Sequence, residues 1–181
     1  MSDFETDLDH IRQSPQNDGL LHMIVRRPEK GTREVLTSGA LDVTAGLVGD
    51  NWKIRGSSRT KNGLAHPHTQ ITIMNSRVIA LVAGNQHRWP LAGNQLYVDF
   101  DLSVDNVPPG TQLALGTAII EVTDQPLTGC KKFSTRFGLE AVKLVNSPIG
   151  KILQLRGINT KVVRSGTIRT GNIVKKMQRI H

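Results

Sequence analysis

The chain holds one cysteine, Cys130, in a run whose neighbours suit a thiolate: Thr128-Gly129-Cys130-Lys131-Lys132-Phe133-Ser134-Thr135-Arg136. A free cysteine commonly packs as a small hydrophobe. Alternatively it sits exposed among cations, where the ionised form serves as nucleophile or metal ligand. Lys131, Lys132 and Arg136 favour the second arrangement. Pro126 and Gly129 break the strand-like stretch Ala118-Ile119-Ile120-Glu121-Val122 that precedes the thiol and leave it on a turn. The same cations would also meet an anionic group held beside the sulfur.

Other residues carry weaker chemistry. Asp50, after Gly49, either contacts a ligand or simply makes a turn. His66-Pro67-His68 places two imidazoles close together, and His87 or Cys130 could complete a zinc site. The intervening proline and the lack of a second cysteine favour a surface loop instead. Arg59 and Lys61 sit in the loop 56–63, able to grip a phosphate or equally to stay solvated. Trp52 and Trp89 read as packing or rim residues rather than base-stacking platforms, because only 4% of the chain is aromatic, poor material for stacking single-stranded nucleic acid. No phosphate-binding Gly-x-x-x-x-Gly-Lys-[Ser/Thr] loop, no Gly-x-Ser-x-Gly elbow and no dinucleotide or iron–sulfur fingerprint occurs.

The elements that must position these residues are mostly short strands. At 181 residues the chain fits one domain with one substantial core. Residues 1–19 are acidic and poor in apolar side chains, and are expected to form a mobile lead-in with a helical turn near Phe4 to Ile11. Residues 20–181 make the domain. Strands are expected at Leu20 to Arg27, Glu34 to Thr37, Gln70 to Met74, Gln95 to Leu102, Gln112 to Leu115 and Ala118 to Val122. Asn75 or Ser76 caps a helix ending at Gly84, and a second helix fits Leu139 to Val145. Thr160 to Arg164 and Thr167 to Val174 flank Ser165-Gly166 as a hairpin. Many short strands with few short helices predict a mainly β fold, a closed or strongly curled sheet running from Gln70 to Val174.

Charge narrows the partners. The chain carries a net charge of +8, and from Lys151 onward there are eight basic residues and no acid. Such a field draws anions: a phosphorylated cofactor, an anionic substrate or nucleic acid. No run of about 18 apolar residues appears, so no membrane-spanning helix is expected. The acidic start lacks the basic-then-apolar order of a secretory signal, and a single cysteine forms no internal disulfide, so a cytoplasmic location is expected.

Several stretches together resemble one family. Gly46-Leu47-Val48-Gly49-Asp50-Asn51-Trp52, Gln70-Ile71-Thr72-Ile73-Met74, Leu113 through Thr123 leading into the cysteine loop, and Leu155-Arg156-Gly157 through Gly171-Asn172 follow in the order and spacing of the MOSC domain, the C-terminal domain of molybdenum-cofactor sulfurases. The resemblance covers roughly residues 20–176, in the compact bacterial form. It implies a distorted β-barrel and a molybdopterin-type cofactor. In sulfurases the cysteine matching Cys130 carries sulfur as a persulfide. In the related amidoxime-reducing enzymes it ligates molybdenum, and N-hydroxylated bases are reduced. On this resemblance Lys131, Lys132 and Arg136, with Asp50, Asn94, Arg59 and Lys61, are the candidate cofactor contacts. An external electron donor or a cysteine desulfurase is the implied partner. Pyridoxal phosphate, which belongs to the separate sulfurase domain, is not expected. Two elements depart from the pattern: Gly-Glu-Asn is replaced by Gly93-Asn94-Gln95, and the final Gly-Asp by Gly171-Asn172. A second function class remains open, a non-catalytic module whose basic surface binds nucleic acid or a protein.

Overall fold

The computed structural model describes residues 3–178. Helix α1 (Asp3–Arg12) leads into β1 (Asp18–Arg26), β2 (Glu34–Leu36), β3 (Ser38–Asp42), β4 (Gly46–Leu47) and α2 (Trp52–Arg55). Then come β5 (Ile71–Asn75), α3 (Ser76–Ala83), β6 (Leu96–Asp99), β7 (Gln112–Leu115) and β8 (Ala118–Val122). The chain ends with α4 (Lys131–Phe137), α5 (Leu139–Asn146), α6 (Pro148–Ile152), β9 (Ile158–Arg164), β10 (Gly166–Arg169) and β11 (Ile173–Lys176). Asn75 caps α3 by accepting from the Arg77 N–H at 2.8 Å, and Gly84 ends that helix, as its sequence predicts.

Seven strands close into a barrel in the order β1-β11-β7-β8-β9-β5-β6 and back to β1, with β2 added on β1 outside the ring. All these neighbours are antiparallel except β5 and β6, whose parallel pairing follows from the α3 crossover between them. The expected span for closure, Gln70 to Val174, is too short: β1 is the strand that shuts the ring, pairing Asp18 with Lys175 and Leu20 with Asp99. The expected β9–β10 hairpin is also absent. Strand β9 is already hydrogen-bonded on both edges, to β5 and β8, so β10 turns away and pairs with β3 in a separate three-stranded sheet.

Two apolar cores result. The barrel interior packs Leu21, Ile24, Ile73, Leu96, Phe100, Leu113 and Ile120 among others. A second layer between the outer barrel face and the helices holds Met23, Val25, Met74, Ile79, Tyr97, Phe133 and Val145. A register shift between Leu21 and Met23 against β6 serves both. The extra residue lets Leu21 and Ile24 face inward while Met23 and Val25 face the helices. The lead-in differs from expectation for the same reason. Residues 3–12 form a full helix whose Leu8 and Ile11 are buried in the outer core, and Ser14 donates to the Ile11 carbonyl while accepting from Asn75. Two apolar residues three apart on one helical face are enough to dock it. No helix among the described residues is long and apolar enough to cross a membrane.

Candidate functional site

Cys130 is exposed and stands at the N-terminus of α4. Its loop is pinned from α5, where Asn146 accepts from the Gly129 N–H at 2.8 Å and donates to the Gly129 carbonyl at 3.0 Å. That close approach explains the glycine: a Cβ at position 129 would meet Val145 Cγ2 at 2.8 Å. Partial burial pushes the thiol's pKa up. Hydrogen bonds from the Phe133 and Lys132 N–H groups, then the charges of Arg156 and Lys132, outweigh that, so the thiol lies below its ordinary value.

The sulfur opens onto a cleft of about 880 Å³ at one end of the barrel. Arg27 enters it from the end of β1, and Lys30 and Arg33 from the loop before β2. Arg55 comes from α2, Lys132 and Arg136 from α4, and Arg156 from the turn before β9. Seven cationic side chains thus face one acidic one, Glu29. Arg33 shows the crowding: burial and then the charges of Arg136 and Arg27 hold its pKa below the ordinary guanidinium value.

Two buried contacts hold the arginines in place. Asp50, with a fully buried side chain, accepts from Arg27 Nε at 3.0 Å and Nη2 at 2.8 Å, and also from the Arg27 and Trp52 backbone N–H groups. Burial pushes this carboxyl up, but those bonds and the Arg27 charge prevail and hold it below its usual range. Asn94 accepts from Arg156 Nη1 at 2.6 Å, Ala92 O accepts from Nη2 at 2.8 Å, and the guanidinium lies 4.9 Å above the Phe133 ring. The neutral Asn94 amide orients Arg156 without cancelling its charge. Gly157, at φ +117, lets the chain turn there; a Cβ would sit 2.3 Å from the Ile73 carbonyl. Arg156 Nε and Asn51 Oδ1, both at the cleft, are buried with no partner.

Not every residue singled out in the sequence meets here. Cys130, Lys132 and Arg136 line the cleft, whereas Lys131, exposed on the first turn of α4, does not. Asp50 and Asn94 lie behind the lining, each orienting an arginine. Arg59 lines an adjoining smaller lobe, and Lys61 is exposed in its loop away from both. The His66 and His68 rings lie tilted to each other with centroids 5.3 Å apart, but no group of three potential metal ligands forms among the described residues. Trp52 and Trp89 are buried packing residues. Asn172 Oδ1 accepts from the Arg169 N–H at 2.7 Å, so the carboxylate-free Gly171-Asn172 makes a turn. Arg27, Arg33 and Arg55 carry no sequence motif, the excess of basic residues being their only trace, whereas Arg156 stands in the family-like stretch Leu155-Arg156-Gly157 without a role marked there.

With the barrel and the cleft in view, solved structures can be compared. The fold matches that of YiiM from Escherichia coli, with a TM-score of 0.56 and 18% identity over 89% of this chain and 71% of that one. YuaD from Bacillus subtilis matches with a TM-score of 0.60 and 17% identity over 89% of this chain and 97% of that one. YiiM from Geobacillus stearothermophilus gives 0.53 and 14%, over 89% and 74%. The fold is that of MOSC-domain proteins. At the level of sequence, no family model and no curated protein matches.

Proposed function

We propose that the chain is a MOSC protein whose cleft holds a molybdopterin-type cofactor, with Cys130 as molybdenum ligand or persulfide carrier. The observation that carries this is the meeting of an exposed, pKa-lowered thiol with an arginine-rich cleft at one barrel end. The residues fit such a group. Lys132, Arg136 and Arg156 offer charged donors for its phosphate, and the unpartnered Arg156 Nε and Asn51 Oδ1 await polar atoms. A soft thiolate suits a thiophilic metal. When bound, the cofactor would supply either a redox centre for reducing N-hydroxylated bases or a metal to receive sulfur. The chain's own part is to favour the ionised form of Cys130, to neutralise the cofactor's charge and to hold the cleft walls. Electrons or sulfur would come from outside, from a reductase or a cysteine desulfurase. The protein should be made in a host that synthesises the cofactor and its molybdenum and pterin measured. Expected is molybdenum in the wild type and its loss in Cys130→Ser at unchanged unfolding temperature. Wild-type protein free of molybdenum and pterin, and taking up no persulfide sulfur from a desulfurase, overturns the proposal. Duplex DNA binding that falls steeply with salt and ignores Cys130→Ser would then favour the nucleic-acid alternative.

A further inference from the structure

Beside the cleft lies a smaller lobe of about 270 Å³ that the function above leaves without a role. Arg27, Arg55, Gly93 and Arg156 border both spaces, so one ligand can reach from one into the other. The lobe adds Arg59 and His66, with Thr72, Gln125 and Asn159 as neutral polar groups, and its lining includes no carboxylate. Neither Arg55 nor Arg59 takes part in an ion pair among the described residues. Burial and the charge of Arg27 push Arg55 below its ordinary pKa, as expected for a cation crowded by another. Arg156, which borders both spaces, gives a separate sign, since its buried Nε has no partner. At 270 Å³ the lobe falls below the ~300–1,000 Å³ of pockets that enclose a drug-sized molecule. It suits one compact anionic group.

We infer that the small lobe is a second phosphate subsite, so that the cleft takes a ligand with two linked phosphates, a diphosphate ester. The inference rests on the reading of the larger cleft as an anion seat. Arg59 and His66 serve the second phosphate, Lys132 and Arg136 the first, and Arg55 and Arg156, which border both spaces, can reach either. Two sources share this chemistry: a pterin cofactor extended by a nucleotide through a pyrophosphate, and a free nucleoside diphosphate.

Calorimetric titration of the full chain with inorganic phosphate and with pyrophosphate tests the subsite. Expected is binding of pyrophosphate about tenfold tighter or more, because a second charged group finds its own donors. Arg59→Gln should remove most of that advantage and Arg59→Glu all of it, with phosphate affinity and the Cys130 alkylation profile unchanged. Arg59 is exposed in a loop, so both variants keep the wild-type unfolding temperature. Equal affinity for the two anions, or an advantage that survives Arg59→Glu, overturns the inference. The mass of the pterin released from protein made in a competent host, together with titration by ADP, separates the sources. A nucleotide-extended pterin identifies the cofactor; Arg59-dependent ADP binding identifies the free nucleotide; the absence of both overturns the diphosphate ligand. Arg59-dependent pyrophosphate or ADP binding by protein that carries no pterin keeps the subsite and removes the molybdenum reading.

Discussion

Replacing Asp50 with asparagine should destabilise the protein by several kcal/mol although the residue lies behind the cleft lining. The Asp50 side chain is fully buried and that of Arg27 only 9% exposed. The carboxylate collects hydrogen bonds from two guanidinium nitrogens and two backbone amides. Asparagine offers one acceptor and turns an N–H toward the guanidinium. Arg27 is then left buried without its counter-charge. Breaking such a pair costs about 3–5 kcal/mol, and a domain of this size loses roughly 2–4 °C per kcal/mol. A fall in unfolding temperature on the order of 10 °C is therefore expected, with a lower urea midpoint at an unchanged slope. The pH dependence carries the sign. Because the folded carboxyl lies below the ordinary value near 3.8, its stabilisation is present above that value and lost as pH falls through the lower, folded one. The gap between wild type and Asp50→Asn should thus shrink toward zero at strongly acidic pH. Substituting both partners with apolar residues, Arg27→Met with Asp50→Leu, removes the unpaired charge but should recover only part of the loss, because the Arg27 and Trp52 backbone N–H groups still lose their acceptor. A cost below about 1 kcal/mol at neutral pH, the range of exposed pairs, would refute the assignment of this contact as the anchor of Arg27 at the cleft.

Three further outcomes are expected. The alkylation rate of Cys130 should reach half its maximum below the free-thiol value of about 8.5, and a half-point at or above it removes the activated thiolate. Asn94→Ala should move that half-point upward, because Arg156 loses a 2.6 Å acceptor and its hold beside the thiol, at a stability cost of about 1–3 kcal/mol; an unmoved half-point would separate Arg156 from the sulfur. Leu8→Ala should cost about 2–5 kcal/mol by urea unfolding, since Leu8 packs in the outer core, whereas a change near zero would return residues 3–12 to the status of a loose lead-in.

The strands and the thiol were legible in the sequence because local chemistry decides them. Gln112–Leu115 and Ala118–Val122 alternate or run apolar between turn residues, and the structure reproduces those bounds. The α3 cap and stop, Asn75 and Gly84, are local signals too. Closure was not local. Nothing near Asp18 announces Lys175 as its partner, and Ser165-Gly166 is a sound turn pair overruled by the occupied edges of β9. The cleft's arginines were hidden for a similar reason. Arg27 and Arg156 are far apart in the chain and converge only when β1 and β9 enter one barrel. Strand β6 reads as alternating, yet Leu96, Tyr97 and Val98 are all buried, because a helical layer covers its outer face.

The pairing of β1 with β11 has a consequence for how the chain comes into being. The first barrel strand finds its partner in the last, Asp18 opposite Lys175, so the ring stays open until β11 has left the ribosome. Until then β1 offers an unsatisfied edge, a template for stray pairing with other chains, and such distant pairings are slow to form. The same geometry brings both ends of the barrel sequence side by side. A linker from the end of β11 to the start of α1, with new termini cut into the exposed turn at Val43-Thr44, would make the closing pair local and should speed folding while leaving the cleft-lining segments uncut.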